Sequence, residues 1–247
     1  MTSRDLLDRI LYRDADCLVL DKPSGLAVHR GPKGGQTLDD FLPDLRLDGP
    51  ILPQLAHRLD RETTGCLVLG RNAAALRQLG QAFAQGRVTK TYLALACGMP
   101  AETAGVIDLP LARRSHDRRS WWMKVDPSGQ PSETRWRRLA TRDGLSWLAL
   151  QPVTGRTHQL RVHCAAMGWP LAGDRVYGGD RAMAASPSLL LHAWRIRLPR
   201  PGHKAPRQNS PALDPLQVTA PLPASMATFL AALDFDQSVL ETLPDIL

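Results

Sequence analysis

The chain has 247 residues, 43% of them hydrophobic, and a formal net charge of +7. This length can bury a full core, as one large domain or as two closely packed halves. A membrane span is excluded because no apolar run reaches the roughly 20 residues that it needs, and charged residues interrupt the start of the chain, where a signal peptide would be apolar. A cytoplasmic location is therefore expected. The excess of cations favours either a polyanionic partner or a generally basic surface.

The first part of the chain is predicted to alternate short strands with two helices. Thr37 is expected to cap a short helix that ends at Leu42, because acidic residues follow it in the first turn. Ala73 to Gln85 is predicted to form an amphipathic helix that Gly86 ends. The predicted strands are a strand–turn–strand within 6–30, a buried strand at 66–70 and an alternating strand at 88–96.

The second part of the chain is predicted to begin with a basic loop at 112–124, which contains Trp121 and Trp122. A β-hairpin spanning 133–150 follows, and Arg142-Asp143-Gly144 is typical of its turn. The remaining predicted elements are a helix at 162–167 that Gly168 ends, a strand from 189, a loop at 202–215, a strand at 216–220 and a helix at 224–233.

The cysteines and histidines give little support for a metal site. Three of the four cysteines lie in apolar runs, and no two have the C-x-x-C spacing of a zinc or disulfide motif. His158, His163 and Cys164 form the densest cluster, but the five-residue step between the histidines misses the i, i+4 face of a helix. No acidic residue lies within this cluster, so no bound metal is expected.

A polar segment, His57 to Gly65, precedes the predicted strand at 66–70. It carries one aspartate, Asp60, close to Arg58 and Arg61. Nearby cations favour the ionised form of a carboxylate, which suits a nucleophile or a general base. On this segment alone, an ordinary surface turn of arginine and aspartate remains equally open.

Further polar motifs follow this segment in a fixed order. They are His57–Gly65 (H-R-L-D-x-x-T-[ST]-G), Lys90 with Tyr92 (K-x-Y), Gly155–His163 (G-R-x-H-Q-[IL]-R-x-H), Gly173–Gly178 (G-D-x-x-Y-G) and, upstream, Lys22–Leu26 (K-P-x-G-[LM]). Together they extend over roughly residues 10–198. In these motifs and their order the chain resembles the RluA family of RNA pseudouridine synthases.

The resemblance implies an α+β fold: a long mixed, mostly antiparallel sheet bent around a central catalytic cleft, with helices on the outside. It implies one catalytic domain over 1–247, with no S4-type RNA-binding domain before it, acting as a monomer. The implied activity is isomerisation of specific uridines in structured RNA, ribosomal or transfer RNA or both. No cofactor is expected, because the product contains the same atoms as the substrate. The alternatives are a non-catalytic RNA-binding protein that retains the fold and, more remotely, a metal-dependent nuclease.

The resemblance also assigns roles to single residues. Asp60 would be the catalytic carboxylate, acting either as a nucleophile at ribose C1′ or as a base at C2′. Tyr92 would stack on the flipped uracil, and Arg161 would pair with Asp60. Around them, Arg58 would assist base flipping and Leu160 would form an apolar wall beside the uracil. His57 is placed with these substrate-binding residues, as a structural hydrogen-bonding group rather than an acid–base group.

The basic loop is expected to contact RNA through its arginines, because cations bind phosphates. These arginines are Arg113, Arg114, Arg118 and Arg119. The neighbouring Trp121 and Trp122 could stack on bases or pack inward. The family usually has smaller or aliphatic residues there, so the sequence leaves their role open.

Overall fold

The computed structural model describes residues 1–30, 34–115, 121–202 and 214–243. The chain divides into two compact units, the first formed by 1–90 and 193–221 and the second by 91–192 and 222–247. Within the described ranges, no helix is both long enough and apolar enough to cross a membrane. The assignment of 1–247 to one domain stays a prediction.

Strands dominate the structure, and six short helices accompany them in the described ranges. The strands are β1 Ile10–Arg13, β2 Cys17–Lys22, β3 Gln54–Leu55, β4 Thr64–Gly70, β5 Thr89–Cys97, β6 Ala104–Asp108, β7 Leu111–Arg113, β8 Met123–Val125, β9 Glu133–Arg142, β10 Leu145–Pro152, β11 Leu191–Leu198 and β12 Leu216–Thr219. The helices are α1 Ser3–Leu7, α2 Leu42–Leu45, α3 Ala73–Ala84, α4 Gln159–Ala166, α5 Gly179–Ala185 and α6 Ala224–Ala232. Single 3₁₀ turns lie at Leu38–Phe41 and Gln237–Leu240.

The first unit is built on the strand order β1-β2-β4-β11, with β3 beside β4 and β12 beside β11. β2 is antiparallel to β4, and Lys22 lies opposite Gly65 in their register. Consecutive residues of both strands are buried, and alternate ones, such as Val19 and Val68, face the same side. They form one apolar core with Leu79 of α3 and the inner side chains of β11 and β12.

The second unit contains the strand order β5-β10-β9-β6. β9 and β10 form a hairpin whose turn residues, Asp143 and Gly144, have φ values of 52° and 72°. Two successive positive φ values match the right-handed twist of a two-residue hairpin, which explains the Asp-Gly sequence. The fully buried Trp147 of β10 stacks on Phe235, with 6.3 Å between ring centroids. A separate two-stranded ribbon is formed by β7 and β8.

The predicted α+β class, with a mixed and mostly antiparallel sheet, is confirmed. The strand at 66–70, the helix at 73–85 and the hairpin are also confirmed. The helix predicted at 162–167 begins three residues earlier, at Gln159. The prediction of a loop throughout 112–124 is wrong at its ends, which lie in β7 and β8. The sequence analysis missed α1, α2, α5, β3 and β6, and most of the loop predicted at 202–215 lies outside the described residues.

Gly65 is required where β4 begins. Its φ is +102°, and a Cβ built there would overlap the main-chain carbonyl of Ala193 in β11, with the carbonyl carbon at 2.7 Å. Both conditions exclude a side chain, because L-residues avoid this φ and the obstacle is backbone.

We therefore expect Gly65→Ala to lower the free energy of unfolding by about 3 kcal/mol. Gly80→Ala is the matched control, because a Cβ at this position of α3 would meet nothing within 4 Å. That control should raise the free energy of unfolding by about 0.5–1 kcal/mol through helix propensity. Urea unfolding of both variants checks the prediction, and equal stabilities would contradict it.

Candidate active site

Asp60 lies in the loop between β3 and β4 and is half-buried. Its neighbours Leu59 and Thr63 are buried, with 5% and 2% exposure. The Thr63 N–H donates to the Asp60 carbonyl at 3.2 Å, which closes a tight turn. The carboxylate is therefore attached to a loop whose backbone is fixed on both sides.

The backbone one residue after Asp60 is held by the upstream K-P-x-G loop. The Arg61 carbonyl accepts hydrogen bonds from Lys22 Nζ at 2.9 Å and from the Gly25 N–H at 3.0 Å. In return, Arg61 Nε donates to the Gly25 carbonyl at 2.9 Å. The side chain of Arg61 is thus part of the loop architecture, although Arg61, like Arg58, is exposed.

Lys22 is fully buried. In the hydrogen bonds that the structure describes, its amino group donates to main-chain carbonyls. Besides Arg61, it donates to Pro23 at 2.8 Å and to Leu26 at 3.0 Å. An ammonium group has three donors, so three carbonyls satisfy it. Burial lowers the pKa of Lys22 to about 7, although the nearby carboxylates of Glu62 and Asp60 act in the opposite direction.

His57 is a structural hydrogen-bonding group in this loop. Its Nε2 accepts the N–H of Val68 in β4 at 3.0 Å, and its ring lies 4.7 Å from that of Phe83. Burial lowers the pKa of His57 to about 3, and the charge of Lys90 acts in the same direction. The ring is therefore neutral near pH 7, with its proton on Nδ1. This geometry supports the structural role favoured from the sequence.

The other predicted catalytic and uracil-contacting residues lie in the second unit. Tyr92 is a buried residue of β5, opposite Leu150 of β10. Leu160 and Arg161 lie in α4, and only 6% and 7% of their surfaces are exposed. Tyr92, Leu160 and Arg161 therefore belong to the second unit, and His57, Arg58 and Asp60 belong to the first.

Arg161 forms a buried bidentate ion pair with Asp174. Its Nε donates to Oδ2 at 2.8 Å and its Nη2 donates to Oδ1 at 2.7 Å. Burial alone would raise the pKa of Asp174, but the hydrogen bonds and charge of Arg161 outweigh it and lower the pKa. The N–H groups of Val176 and Tyr177 also donate to Oδ1. Asp174 therefore stays ionised and fixes the plane of the guanidinium.

Tyr177 connects this ion pair to two other elements. Arg161 lies over its ring, with the guanidinium carbon 5.2 Å from the centroid. Its hydroxyl bonds to Nδ1 of His158 at 2.8 Å and accepts the N–H of Met123 in β8 at 2.9 Å. The sequence analysis assigned no role to Asp174 or Tyr177, although both belong to the G-D-x-x-Y-G motif that could have indicated them.

The remaining polar residues of α4 fix the helix on the sheet. Gln159 Nε2 and His163 Nδ1 both bond to Thr134 Oγ1 of β9, at 3.0 and 2.9 Å. His163 Nε2 lies 3.0 Å from the Leu109 carbonyl, so this nitrogen carries the proton. Burial lowers the pKa of His163. Among the described residues, no group of three or more His, Cys, Asp and Glu side chains could hold a metal ion.

The predicted RNA-binding arginines are only partly covered by the structure. Arg113 and Arg114 are exposed, at and just after the end of β7. Arg118 and Arg119 lie outside the described residues, so their predicted phosphate contacts stay predictions.

Comparison with known proteins gives a consistent set of matches. Residues 16–166 match the family model described as RNA pseudouridylate synthase. An uncharacterized RNA pseudouridine synthase of Zymomonas mobilis is 39% identical over 88% of this chain and 95% of its own length. Ribosomal large subunit pseudouridine synthase C of Vibrio vulnificus is 36% identical over 86% of this chain and 68% of its own length. The structure of human RNA pseudouridylate synthase domain containing 4 matches with a TM-score of 0.75 and 28% identity, covering 94% of this chain and 95% of that chain.

The pKa of Lys22 predicts how the stability of the protein depends on pH. An unfolded lysine keeps its proton up to about pH 10.5, whereas folded Lys22 releases its proton near pH 7. Between these values the unfolded state binds more protons, so the free energy of unfolding should rise with pH. Lys22→Met should make this rise smaller, because methionine does not titrate, while burial also lowers the pKa of Lys90 and leaves its contribution in place.

Urea unfolding of wild type and Lys22→Met between pH 6 and pH 10 measures the difference. Lys124→Met, which removes an exposed lysine, is the matched control. Parallel curves for wild type and Lys22→Met would show that Lys22 does not carry this pH dependence.

Proposed function

The chain belongs to the RNA pseudouridylate synthase family and isomerises uridine in RNA to pseudouridine, and we propose that Asp60 is the single carboxylate that carries the reaction. The reaction breaks the bond from uracil N1 to ribose C1′ and forms the bond from C5 to C1′. C5 loses a proton and N1 gains one, so no atom is added and no electron is transferred. A carboxylate is sufficient for this chemistry, either as a nucleophile at C1′ or as a base at C2′.

The observation that carries this proposal is the way the Asp60 loop is held. The Arg61 carbonyl, one residue after Asp60, accepts hydrogen bonds from Lys22 Nζ and from the Gly25 N–H, and the Thr63 N–H closes the turn on the Asp60 carbonyl. A reacting group needs such support, because small displacements from the reactive geometry are costly. Asp60 is the aspartate of the H-R-L-D motif and is half-buried, whereas Glu62, the other carboxylate of this loop, is exposed and accepts a hydrogen bond from Ser24 Oγ at 3.2 Å.

Arg161 is proposed to keep the Asp60 carboxylate ionised and oriented, with Asp174 in turn orienting Arg161. The support is the bidentate pair, since a guanidinium whose plane is fixed loses less entropy when it bonds to another group. Tyr92 is proposed to stack on the flipped uracil and Leu160 to supply an apolar wall beside it. Arg58, exposed on the Asp60 loop, is proposed to assist flipping, which costs a few kcal/mol of unstacking.

The substrate is proposed to be structured RNA, ribosomal or transfer RNA or both, and the name of the Vibrio vulnificus relative favours the large ribosomal subunit. The enzyme is proposed to act as a monomer in the cytoplasm and without a cofactor. The decisive experiment maps pseudouridines by carbodiimide treatment and primer extension in a deletion strain. A stop that disappears in the deletion and returns with the wild-type gene identifies the uridine.

Asp60→Asn should lower the single-turnover rate by at least about 100-fold. The amide is nearly isosteric with the carboxylate but can act neither as a nucleophile nor as a base. Tritium release from [5-³H]uridine RNA measures the rate, and filter binding with circular dichroism confirms that RNA binding and folding persist. A rate within tenfold of wild type would remove Asp60 from the mechanism.

Arg161→Met and Arg161→Lys separate the charge of Arg161 from its geometry. The Met variant should be nearly inactive near pH 7 and should recover in part as pH rises, because losing a positive neighbour disfavours an ionised carboxylate. The Lys variant keeps the charge but loses the bidentate fork, so its rate should lie between Met and wild type.

Single-turnover pH–rate curves at saturating RNA provide the measurement. Thermal melts must accompany them, because the Met variant leaves Asp174 buried without its counter-charge, at a cost of about 3–5 kcal/mol. If Arg161 instead contacts phosphate, binding weakens while the pH–rate curve of the folded Met variant overlays wild type.

A further inference from the structure

Two of the six tryptophans are exposed, and they are neighbours. Trp136, Trp147, Trp169 and Trp194 are all at most 5% exposed. Trp121 and Trp122, by contrast, expose 43% and 48% of their surfaces just before β8. Large aromatic side chains are normally buried because of the apolar area they carry, so an exposed adjacent pair indicates an interaction surface.

Each exposed tryptophan lies beside an exposed arginine of the same ribbon. The guanidinium carbon of Arg113 is 6.0 Å from the Trp121 ring centroid, and that of Arg114 is 5.7 Å from the Trp122 centroid. These distances are within the usual range for a cation–π contact. We call these four residues with β7 and β8 the aromatic ribbon.

The aromatic ribbon is attached to the candidate active site. The Arg114 N–H donates to the Trp122 carbonyl at 2.7 Å, which extends the β7–β8 ladder to the tryptophans. One residue later, the Met123 N–H donates to the hydroxyl of Tyr177 at 2.9 Å. The ring of Tyr177 is the one over which Arg161 lies. Trp122 and Trp121 are thus one and two residues from the Met123 N–H, whose hydrogen bond reaches Tyr177.

The charge of the aromatic ribbon favours RNA over a protein partner. Its arginines are exposed, and the whole chain carries a net charge of +7. Cations beside aromatic faces are the combination that single-stranded nucleic acids require, because phosphates bind the cations and bases stack on the rings. In a continuous duplex the bases are already stacked on each other and offer no free face.

We propose that Trp121 and Trp122 stack on unpaired nucleotides next to the target uridine, while Arg113 and Arg114 bind the adjacent phosphates. The inference rests on the proposed function, since it takes RNA as the substrate, and it narrows the substrate class. The favoured substrate has its uridine in a loop, bulge or other interrupted helix. The stacking does not depend on base identity, because every base has a π face.

Intrinsic fluorescence gives a direct test, because the exposed tryptophans are the two in the aromatic ribbon. A hairpin RNA with an unpaired loop should change the tryptophan emission of the wild type, and a fully paired duplex of equal length should not. Trp121→Phe with Trp122→Phe should bind the hairpin within about threefold of wild type, because phenylalanine still stacks, but should lose most of the emission change.

Trp121→Leu with Trp122→Leu keeps apolar bulk but removes both π faces. It should bind the hairpin at least about tenfold more weakly, since stacking on one aromatic ring contributes about that factor or more. Its duplex affinity and its salt dependence should match wild type. Arg113→Ala with Arg114→Ala should instead weaken the binding of both RNAs and flatten the slope of log affinity against log salt, by about 0.7–0.9 for each phosphate that the variant no longer binds.

Wild-type hairpin affinity in the Leu variant would overturn the proposal. If that variant also lost a concentration-dependent dimer seen for wild type by light scattering, the two tryptophans would form a protein contact instead.

All of these experiments measure binding, so they are independent of Asp60→Asn. An active Asn variant would refute the proposed chemistry and leave the binding results unchanged. Near-UV circular dichroism confirms that the variants fold, and the Phe variant provides an answer if the Leu variant does not.

Discussion

The buried amino group of Lys22 is the constraint on which the Asp60 loop depends. Removing an ammonium group from water is costly unless hydrogen bonds replace the water, and here three main-chain carbonyls do so. One of these carbonyls, that of Arg61, lies 39 residues away in sequence. β2 ends at Lys22, which lies opposite Gly65 at the start of β4. The paired strands β2 and β4 therefore position both the Lys22 amino group and the loop that carries the Arg61 carbonyl. The close approach of Gly65 to Ala193 then leaves the loop before β4 little freedom.

The second polar motif follows the same principle in α4. A sequence rich in His, Gln and Arg suggests a set of catalytic groups, yet several of these side chains bond to the protein. Gln159 and His163 share Thr134, and Arg161 pairs with Asp174. Each bond satisfies a polar group that would otherwise be costly to bury. These bonds therefore serve two purposes, since those of Gln159 and His163 hold α4 on the sheet and that of Asp174 fixes the orientation of Arg161.

Local patterns predicted the elements that depend on local physics. The apolar run at 66–70, the amphipathic spacing of α3 and the Asp143-Gly144 turn were sufficient for their elements. The local pattern did not indicate the start of α4, because His158 before it adopts a positive φ of 53°, which is uncommon for a residue other than glycine. β7 and β8 have three residues each, too few for an alternating pattern. The pairing of Arg161 with Asp174 is set by tertiary packing, so the motifs named both residues but not the bond between them.

The arginines and tryptophans of the aromatic ribbon differ in what they can select. Charge attracts any RNA, acts over roughly 8 Å at physiological salt, and does not distinguish paired from unpaired bases. A ring stacks only on a base that has left its neighbours, and acts only in contact. Flipping a uridine costs least where its helix is already interrupted, so a surface that holds unpaired nucleotides would select the sites at which flipping is easiest. In the proposed arrangement, the net charge would supply affinity for RNA in general, while the two indoles would supply the preference for substrates on which the chemistry can begin.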